Sequence, residues 1–579
     1  MEETFEVDLL DITDLRYEEK LTASVLQGLI NRKGPVLFLI NKNYDDPGTR
    51  KTNVVHMTDE NWYNKYREYV KDNDSVNLEY YQSAYKLVTH SLAGMVEAIH
   101  KYKPLLNGLV IWDPAMIDSV NLALMLAAQE DLLVIAPDQL EWAKDQGLDN
   151  VRHDLRGKFK DRIELYSWAF RNLFAKCKSG QIASMEPQWK RSEFADYIVQ
   201  NKLFVYCLSS YKKGGLRTIG QSLLMLLIGG PFGLRNFLFD TRLDGLVKAL
   251  ARFLLSLGAP ETRLGQRIQR AVEALPFPTI FGWHSDRDDE MSFMLQISMN
   301  GMRLAPTFMA GNYSFHSKLP AEIPLVQRYI HPEEVKLENK VYLAFTLSDG
   351  DQFTLMNTGE LGNWRRPERG KVPFNWEMQP LLVEIAPALL GYYYSSLKDT
   401  DLLVAGPSGA GYIIPPLSSN LSAYLAESAR YCDLADVRIT TSYIGDPPLR
   451  VVRDHGQAPG KFLGFLAGYF HLGRTPMYMA GKRPFVANVW PTPEQIPWES
   501  DQALVGIRKL VDQPGSNPRF IACHLFAYFT TITDVYQFVQ TLDSNKVKVV
   551  RADEFLYAAA QAMQINHSKS EDQERKNER

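Results

Sequence analysis

The feature that most constrains the fold is a regular alternation of strand-like and helix-like segments after residue 340. The strand candidates are short and largely apolar, which is typical of parallel strands buried on both faces. The seven candidates span residues 340–351, 401–409, 437–445, 461–468, 483–490, 519–526 and 546–555. This pattern predicts a C-terminal (β/α) barrel-like domain, either complete or an incomplete seven-stranded barrel. A doubly wound open sheet is the alternative.

The first 140 residues show the same β-α-β pattern on a smaller scale. The segments 35–40, 108–113 and 132–137 predict buried strands with helices packed around them, as in a parallel-sheet α/β domain. Residues 210–275 instead predict a helical insert. We expect four parts: an N-terminal α/β region at 1–275, a connecting segment at 276–335, the C-terminal barrel-like domain at 336–562 and a polar, disordered tail at 566–579.

Charge and cysteine content exclude several classes of protein. The formal net charge of −4 gives no broad attraction to nucleic acid or anionic lipid. The four cysteines form no CxxC pair, which argues against a zinc ribbon and fits a reducing compartment. The N-terminus has no signal-peptide pattern, and the most hydrophobic stretch, 222–239, is interrupted by Gly229-Gly230-Pro231 and Arg235. We therefore expect a cytoplasmic protein without a stable membrane span or a nucleic-acid partner.

A pair of carboxylates follows the first strand of the predicted barrel. Asp349 and Asp351 flank a glycine in "FTLSDGDQ", directly after an apolar run, and Gln352 comes next. Ligands of parallel α/β folds bind beyond the carboxyl ends of strands. Two neighbouring carboxylates repel each other, so one can act as a general acid while the other acts as a base, nucleophile or metal ligand. The alternative is an ordinary Asp-Gly surface turn.

Further polar candidates lie in the connecting segment. Glu290 ends an acidic cluster, "HSDRDDE", and either contributes to a site or belongs to an acidic first helical turn that favours the helix dipole. Asn312 and His316, in "GNYSFHS", are candidate polar contacts for a substrate, although a structural loop explains each of them as well.

His524 lies near the end of an apolar strand in "FIACHLF". A histidine in such a run is often a hydrogen-bonded core residue. Together with the aspartate pair it could instead complete an acid/base or metal site. Asn488, in "VANVW", is a weaker member of the same predicted rim.

The loop "GPSGAGYIIPP" at 406–416 superficially resembles a phosphate-binding loop. It lacks the Gly-Lys-Ser/Thr ending of such loops, and its glycines do not have the dinucleotide-binding spacing. No GxSxG or HExxH motif occurs in the chain either. We expect the glycines to permit a sharp turn that presents Tyr412 to a pocket.

This loop is similar to the motif that names the GxGYxYP family of putative glycoside hydrolases. Gly409, Gly411, Tyr412 and Pro415 match the motif, whereas Ile414 stands where the family has a second tyrosine. The "FTLSDGDQ" segment resembles the family's strand ending in Asp-Gly-Asp-Asn, with glutamine in the last position. The segments 26–39, 108–127 and 282–317 resemble other parts of the family, so the similarity spans most of residues 8–560.

The resemblance implies an N-terminal α/β domain, a C-terminal barrel-like domain and a carbohydrate substrate. The leading prediction is a carbohydrate-active hydrolase without a cofactor, in which Asp349, Asp351 and Glu290 are catalytic. The substrate-binding residues would be Gly409, Gly411, Tyr412, Gln352, Asn312, His316 and His524. One alternative is a deacetylase with a divalent metal held by Asp349, Asp351 and His524. Another is a non-catalytic carbohydrate-binding protein.

Overall fold

The computed structural model describes residues 4–42, 73–210, 260–272, 277–288, 290–307, 310–350, 353, 356, 359, 362–442, 448–467, 477–489, 500–527 and 530–577. These residues form three small parallel sheets followed by a closed parallel barrel. The prediction of N-terminal parallel-sheet α/β structure followed by a barrel-like domain is therefore confirmed.

The first two sheets contain three parallel strands each. The first sheet consists of β1 (Thr4–Asp11), β2 (Leu37–Ile40) and β3 (Lys86–Ser91), in the order β2-β1-β3. The second consists of β4 (Gly108–Ile111), β5 (Leu132–Ile135) and β6 (Val151–Asp154), in the order β5-β4-β6. The helices of this region are α1 (Tyr17–Ile30), α2 (Asn73–Ala84), α3 (Met95–Tyr102), α4 (Ser119–Glu130) and α5 (Leu140–Asp145). Helix α1 packs against β2 and β5, so it is buried on nearly every face.

The third sheet combines strands from both sides of residue 275. It consists of β7 (Gln181–Ser184), β8 (Phe204–Tyr206), β9 (Thr279–Gly282) and β10 (Arg303–Pro306), in the parallel order β10-β9-β7-β8. Its helices are α6 (Arg162–Asn172), α7 (Ala195–Asn201), α8 (Pro260–Ala271), α9 (Glu290–Met299) and α10 (Tyr313–His316). The connecting segment of the sequence analysis therefore supplies two strands of this sheet. Residues 211–259 of the predicted helical insert lie outside the described residues.

Seven parallel strands form the barrel. They are β11 (Val341–Ser348), β12 (Phe374–Met378), β13 (Asp401–Ala405), β14 (Ile439–Thr440), β15 (Gly464–Ala467), β17 (Arg483–Val489) and β18 (Arg519–Phe526). The ring closes because β11 pairs with both β18 and β12. Two more strands lie outside the ring: β16 (Met477–Ala480), antiparallel to β17, and β19 (Val547–Val549), parallel to β11.

Seven helices whose bounds lie within the described residues accompany the barrel. They are α11 (Leu382–Ile385), α12 (Pro387–Ser395), α13 (Leu421–Leu434), α14 (Leu449–Gly456), α15 (Ser500–Asp512), α16 (Ile532–Gln540) and α17 (Ala552–Asn577). Helix α17 includes residues of the polar tail for which the sequence predicts disorder. Within the described part of the chain, no helix is long and apolar enough to cross a membrane. All four cysteines are free thiols.

The barrel interior is apolar near the amino ends of the strands. Alternate residues point inward and form a buried cluster that includes Tyr342, Ala344, Leu402, Val404, Ile439, Leu466, Val486, Phe520 and Ala522. Helix α17 covers this end of the barrel with Ala552, Phe555, Leu556 and Ala559, which belong to the same cluster. The amino end of the barrel is thus filled, and polar inward-facing residues are concentrated at the carboxyl end.

Candidate active site

The inward-facing residues at the carboxyl ends of the barrel strands form a polar layer. Strand alternation extends the inward-facing positions of each strand to its carboxyl end. The layer comprises Ser348, Glu377, Gly406, Thr441, Asn488 and His524, all of which are buried. A polar layer above an apolar barrel core is the arrangement typical of (β/α) barrel active sites.

Glu377 lies at the centre of this layer. Its Oε1 atom accepts hydrogen bonds from Thr441 and from Nε2 of His524, the latter at 2.5 Å. The side chains of Glu377 and His524 are 0% and 1% exposed, respectively. The Oε2 atom is buried and accepts no hydrogen bond from any described residue. A buried carboxylate oxygen without a donor is costly, so such atoms are expected at sites that take a ligand or water.

Two glycines bring the chain close to Glu377. A Cβ atom at Gly350 would lie 2.0 Å from the carbonyl oxygen of Glu377, and one at Gly406 would lie 2.5 Å from its Oε1. Only glycine fits at such distances. Asp349, directly before Gly350, is 8% exposed and has a left-handed backbone conformation with φ of 72°. The structure therefore places the Asp349–Gly350 turn against Glu377, while Asp351 and Gln352 lie outside the described residues.

The 406–416 loop connects the barrel to the third sheet. The backbone of Tyr412 pairs with Leu304 of β10 through two hydrogen bonds, of 2.7 and 2.9 Å. Its phenol donates to Oε1 of Glu290 at 3.1 Å. The backbone N–H of Gly411 donates to Gln379 at 2.8 Å, two residues after Glu377. The loop thus brings Glu290, predicted from the connecting segment, into contact with Tyr412.

Ile414 fills the core at the position where the motif has a second tyrosine. It is 4% exposed and belongs to the large hydrophobic cluster shared by the barrel and the N-terminal region. Its backbone N–H donates to Ser298 of α9 at 3.0 Å. The apolar side chain is therefore a packing residue in this protein.

Family models match three parts of the chain. The model described as the GxGYxYP putative glycoside hydrolase C-terminal domain matches residues 339–560. The GxGYxYP_N second domain matches residues 106–177, and the GxGYxYP_N first domain matches residues 6–104. The chain belongs to the GxGYxYP family. The resemblance predicted from the sequence motifs is confirmed, and the two N-terminal models correspond to the first and second sheets.

A solved structure has the same fold as this GxGYxYP protein. It is that of a putative hydrolase from Bacteroides thetaiotaomicron, with a TM-score of 0.72 and 19% sequence identity. The alignment covers 97% of this chain and 95% of the other. At this identity the similarity shows a shared fold. No curated protein matches the chain.

Asn312 and His316 lie in the N-terminal part of the GxGYxYP fold and contact the first sheet. The Asn312 side chain accepts a hydrogen bond from the backbone N–H of Leu39 at 2.9 Å and donates to its carbonyl at 2.8 Å. His316 is buried, and its Nδ1 is 2.8 Å from the phenol oxygen of Tyr81. These contacts support β2 and α2. A substrate-binding role for either residue stays a prediction.

A second group of acidic residues lies at the carboxyl edge of the third sheet. Glu186 accepts hydrogen bonds from Cys207, Ser285 and the backbone N–H of Asp286, at 3.0 to 3.1 Å. Burial, followed by interaction with Asp286, raises the pKa of Glu186 to about 7. Asp288 accepts hydrogen bonds from Ser209 and Ser210. Glu186 and Asp288 therefore join the segments that follow the strands of the third sheet.

The described residues contain no group of three His, Cys, Asp or Glu side chains arranged to hold a metal ion. His524, one of the ligands predicted for a metal, forms a hydrogen bond with Glu377 through its Nε2 atom. Asp351, another predicted ligand, is outside the part of the chain that the structure describes.

Sequence reasoning missed Glu377 because it missed β12. The strand "FNWEM" has only five residues and two buried polar side chains, Asn375 and Glu377, so it lacks the continuous apolar run of the other strands. The usable signal was the alternation of Phe374, Trp376 and Met378 with polar residues, which is typical of a strand with one polar face.

Proposed function

We propose that this protein is a carbohydrate-active hydrolase whose reaction takes place at the carboxyl end of the barrel. The observation that carries the proposal is the buried Glu377–His524 pair directly beside the Asp349–Gly350 turn. Carboxylates at this end of a barrel are suited to acid/base cleavage of a glycosidic bond. Membership of a family described as glycoside hydrolases supports the same reaction class.

In this proposal Asp349 and Asp351 are the catalytic residues of the turn. Two carboxylates one residue apart do not both ionise readily, so one holds the proton that the leaving oxygen requires. Glu377 is the proposed positioning residue, because Gly350 of the catalytic turn lies directly against it. The hydrogen bonds from His524 and Thr441 to Oε1 fix the orientation of the Glu377 side chain.

Glu290 is the proposed partner from the other half of the molecule. It is an exposed residue at the start of α9, and its carboxylate accepts a hydrogen bond from Tyr412 of the 406–416 loop. Carboxyls roughly 5–5.5 Å apart act with retention of the anomeric configuration, whereas a separation of roughly 6.5–9.5 Å leaves room for a water and gives inversion. NMR of the first-formed sugar anomer distinguishes these two mechanisms.

The test replaces Asp349 by Asn and measures hydrolysis of aryl glycosides and polysaccharides by release of nitrophenol and reducing ends. We expect kcat to fall by roughly 10²–10⁴-fold, the usual contribution of a general acid or base. Asp399→Asn is the matched control, since Asp399 is 86% exposed and pairs only with the exposed Arg328 among described residues. Full activity of Asp349→Asn would contradict the assignment.

The same assays separate the alternatives. Release of acetate from acetylated sugars, without cleavage of the glycosidic bond, would indicate a deacetylase. Saturable binding on a glycan array without turnover of any substrate would indicate a carbohydrate-binding protein. Either result would replace the hydrolase proposal.

A further inference from the structure

A polar cavity lies between the third sheet and the barrel domain, away from the polar layer around Glu377. Its volume is about 170 Å³. Its walls are the first residues of β7, β9 and β10, the end of α7, and helices α11 and α13. Pockets for drug-sized ligands usually measure roughly 300–1,000 Å³. This cavity therefore fits an ion or a single small polar group.

The back wall of the cavity contains a buried arginine without a counter-ion. Arg303 is 2% exposed. Its Nε donates to Thr279 at 2.8 Å and its Nη1 donates to the carbonyl of Ala410 at 3.1 Å. Its guanidinium carbon lies 5.2 Å from the centroid of the Tyr431 ring, and it forms no ion pair with any described carboxylate. A buried guanidinium bonded only to neutral oxygens is costly, because two neutral acceptors do not replace its hydration.

Two lysines add to the positive charge around the cavity. Lys178 and Lys318 both line it, and neither forms an ion pair with a described residue. Although Lys178 is exposed overall, its Nζ donates to Asn201 on the cavity wall at 3.2 Å. Desolvation lowers the pKa of Lys178, and repulsion from Lys318 lowers it further, against the attraction of Glu384.

Two acidic residues lie near these cations, and one of them, Glu384, lines the cavity; both are already paired. Glu384 on α11 accepts hydrogen bonds from Arg430 at 3.1 Å and from Tyr431 at 2.8 Å. Glu427 also pairs with Arg430, at 3.3 Å. Glu384 and Glu427 both pair with Arg430, which does not line the cavity. The three cations that do line it, Arg303, Lys178 and Lys318, form no ion pair with either carboxylate. The excess positive charge is on the cavity side.

We propose that this cavity binds a small oxyanion, held by Arg303, Lys178 and Lys318. Inorganic phosphate or sulfate, a sugar phosphate, and the carboxylate of a sugar acid share the required chemistry, since each presents several acceptor oxygens to clustered cations. Asn201 and Ser317, which also line the cavity, provide neutral hydrogen-bonding groups beside the charges.

Arg303 also links the cavity to the 406–416 loop. Besides its hydrogen bond to Ala410, its Cδ lies 2.8 Å from where a Cβ would be at Gly411. An anion that fixes Arg303 therefore also fixes the segment that carries Tyr412. The proposed anion site is distinct from the proposed reaction site at the barrel mouth.

The test is isothermal titration of the full-length protein with sodium phosphate, sodium sulfate, glucose 6-phosphate and sodium glucuronate, at constant ionic strength maintained with sodium chloride. We expect saturable binding of at least one of these anions. Binding should be about tenfold or more weaker in Lys178→Gln/Lys318→Gln, which removes two charge-assisted contacts. The control Lys33→Gln/Lys158→Gln removes two exposed charges elsewhere and should bind as the wild type does.

The result also identifies the source of the anion. Preference for phosphate or sulfate indicates an inorganic ion, whereas preference for glucose 6-phosphate or glucuronate indicates a sugar derivative. The bound anion should raise the melting temperature of the wild type and the control, since it binds the folded state alone. Absence of saturable binding by all four anions, or equal binding by Lys178→Gln/Lys318→Gln, would overturn the proposal. Neither result depends on hydrolase activity.

Discussion

At the residue scale, Glu377 places a carboxylate in the polar layer above the apolar core of the barrel. His524 and Thr441 offset the cost of its burial by donating to Oε1. Its second oxygen has no donor among the described residues. Such a group stabilises the fold less than a well-packed apolar residue would. We therefore infer that Glu377 serves the site more than the fold.

Two substitutions separate the contribution of Glu377 to the free energy of unfolding from its contribution to hydrolysis. Glu377→Gln keeps the shape and one acceptor oxygen, so the free energy of unfolding should fall by less than about 2 kcal/mol, while hydrolysis should fall at least about 100-fold. Glu377→Ala leaves two buried donors without an acceptor and should cost roughly 2–5 kcal/mol. Urea unfolding and the glycoside assay measure the two effects. A fully active Glu377→Gln would contradict the positioning role.

The sequence could predict several residues of the candidate site, but not Glu377, which lies at its centre. Asp349 and His524 follow or end long apolar strands, and such strands are visible in a single sequence. The contact between Glu290 and Tyr412 joins residues 122 positions apart, and no local pattern encodes it. Glu377 stayed hidden because its strand is short and polar on its inner face.

At the element scale, β11 has two neighbours on one edge. β12 pairs with its carboxyl half and β19 pairs with its amino half. Asn375 lies where these partners meet: its Nδ2 donates to the carbonyl of Phe345 and its Oδ1 accepts from the backbone N–H of Ala552, both at 2.7 Å. One side chain thereby joins β12, β11 and the start of α17.

Asn375→Ala should weaken the closure of the barrel. The change leaves a buried carbonyl and a buried N–H without partners, and each such group costs roughly 1–3 kcal/mol. We expect the free energy of unfolding to fall by at least about 2 kcal/mol in urea titrations. Asn172→Ala, on the exposed end of α6, is the control and should stay within about 0.5 kcal/mol of the wild type. Equal stability of the two variants would show that Asn375 does not hold the closure.

The same elements explain which parts of the barrel the sequence predicts. Six of the seven strand candidates are ring strands, and most of these six contain a continuous apolar run. The seventh candidate, 546–555, contains β19 and the start of α17, so it is not part of the ring. The ring instead closes through β12. A count of strand candidates could not show whether the seventh strand of the ring is β12 or β19.

At the scale of the whole molecule, buried polar residues fasten the N-terminal elements together. Asp196 at the start of α7 is 1% exposed and accepts a hydrogen bond from the backbone N–H of Ser314 in α10 at 2.6 Å. Its own backbone carbonyl lies 2.3 Å from where a Cβ would be at Gly28 of α1. Three helices therefore meet at Asp196. Burial raises the pKa of its carboxyl group to about 6.

This raised pKa makes stability depend on pH. The folded state binds the proton of Asp196 more tightly than the unfolded chain, whose aspartates titrate near 3.8. The contribution to stability is therefore full below the unfolded pKa and is lost as the pH rises through the folded pKa. Relative to Asp196→Asn, which cannot ionise, the wild type should lose about 2 kcal/mol of unfolding free energy between about pH 4 and about pH 7.5.

Urea titrations of both proteins across this range test the prediction. Glu186, whose pKa is about 7, changes stability in the same direction, whereas His455, whose pKa burial lowers to about 4, acts in the opposite direction. Both groups are present in both proteins, so their contributions cancel in the difference. A difference that does not change with pH would show that Asp196 does not titrate in this range.

The described residues on either side of 211–259 are in contact beside the third sheet. The backbone N–H of Ser209 donates to Glu261 at 2.8 Å, and that of Ser210 donates to Asp288 at 2.6 Å. Because the sheet already holds these ends together, bridging them requires only a short linker, and the entropy of closing a loop there changes slowly with its length. Ser209 and Glu261, which are in contact, thus mark a place where the number of residues between them can vary at small entropic cost.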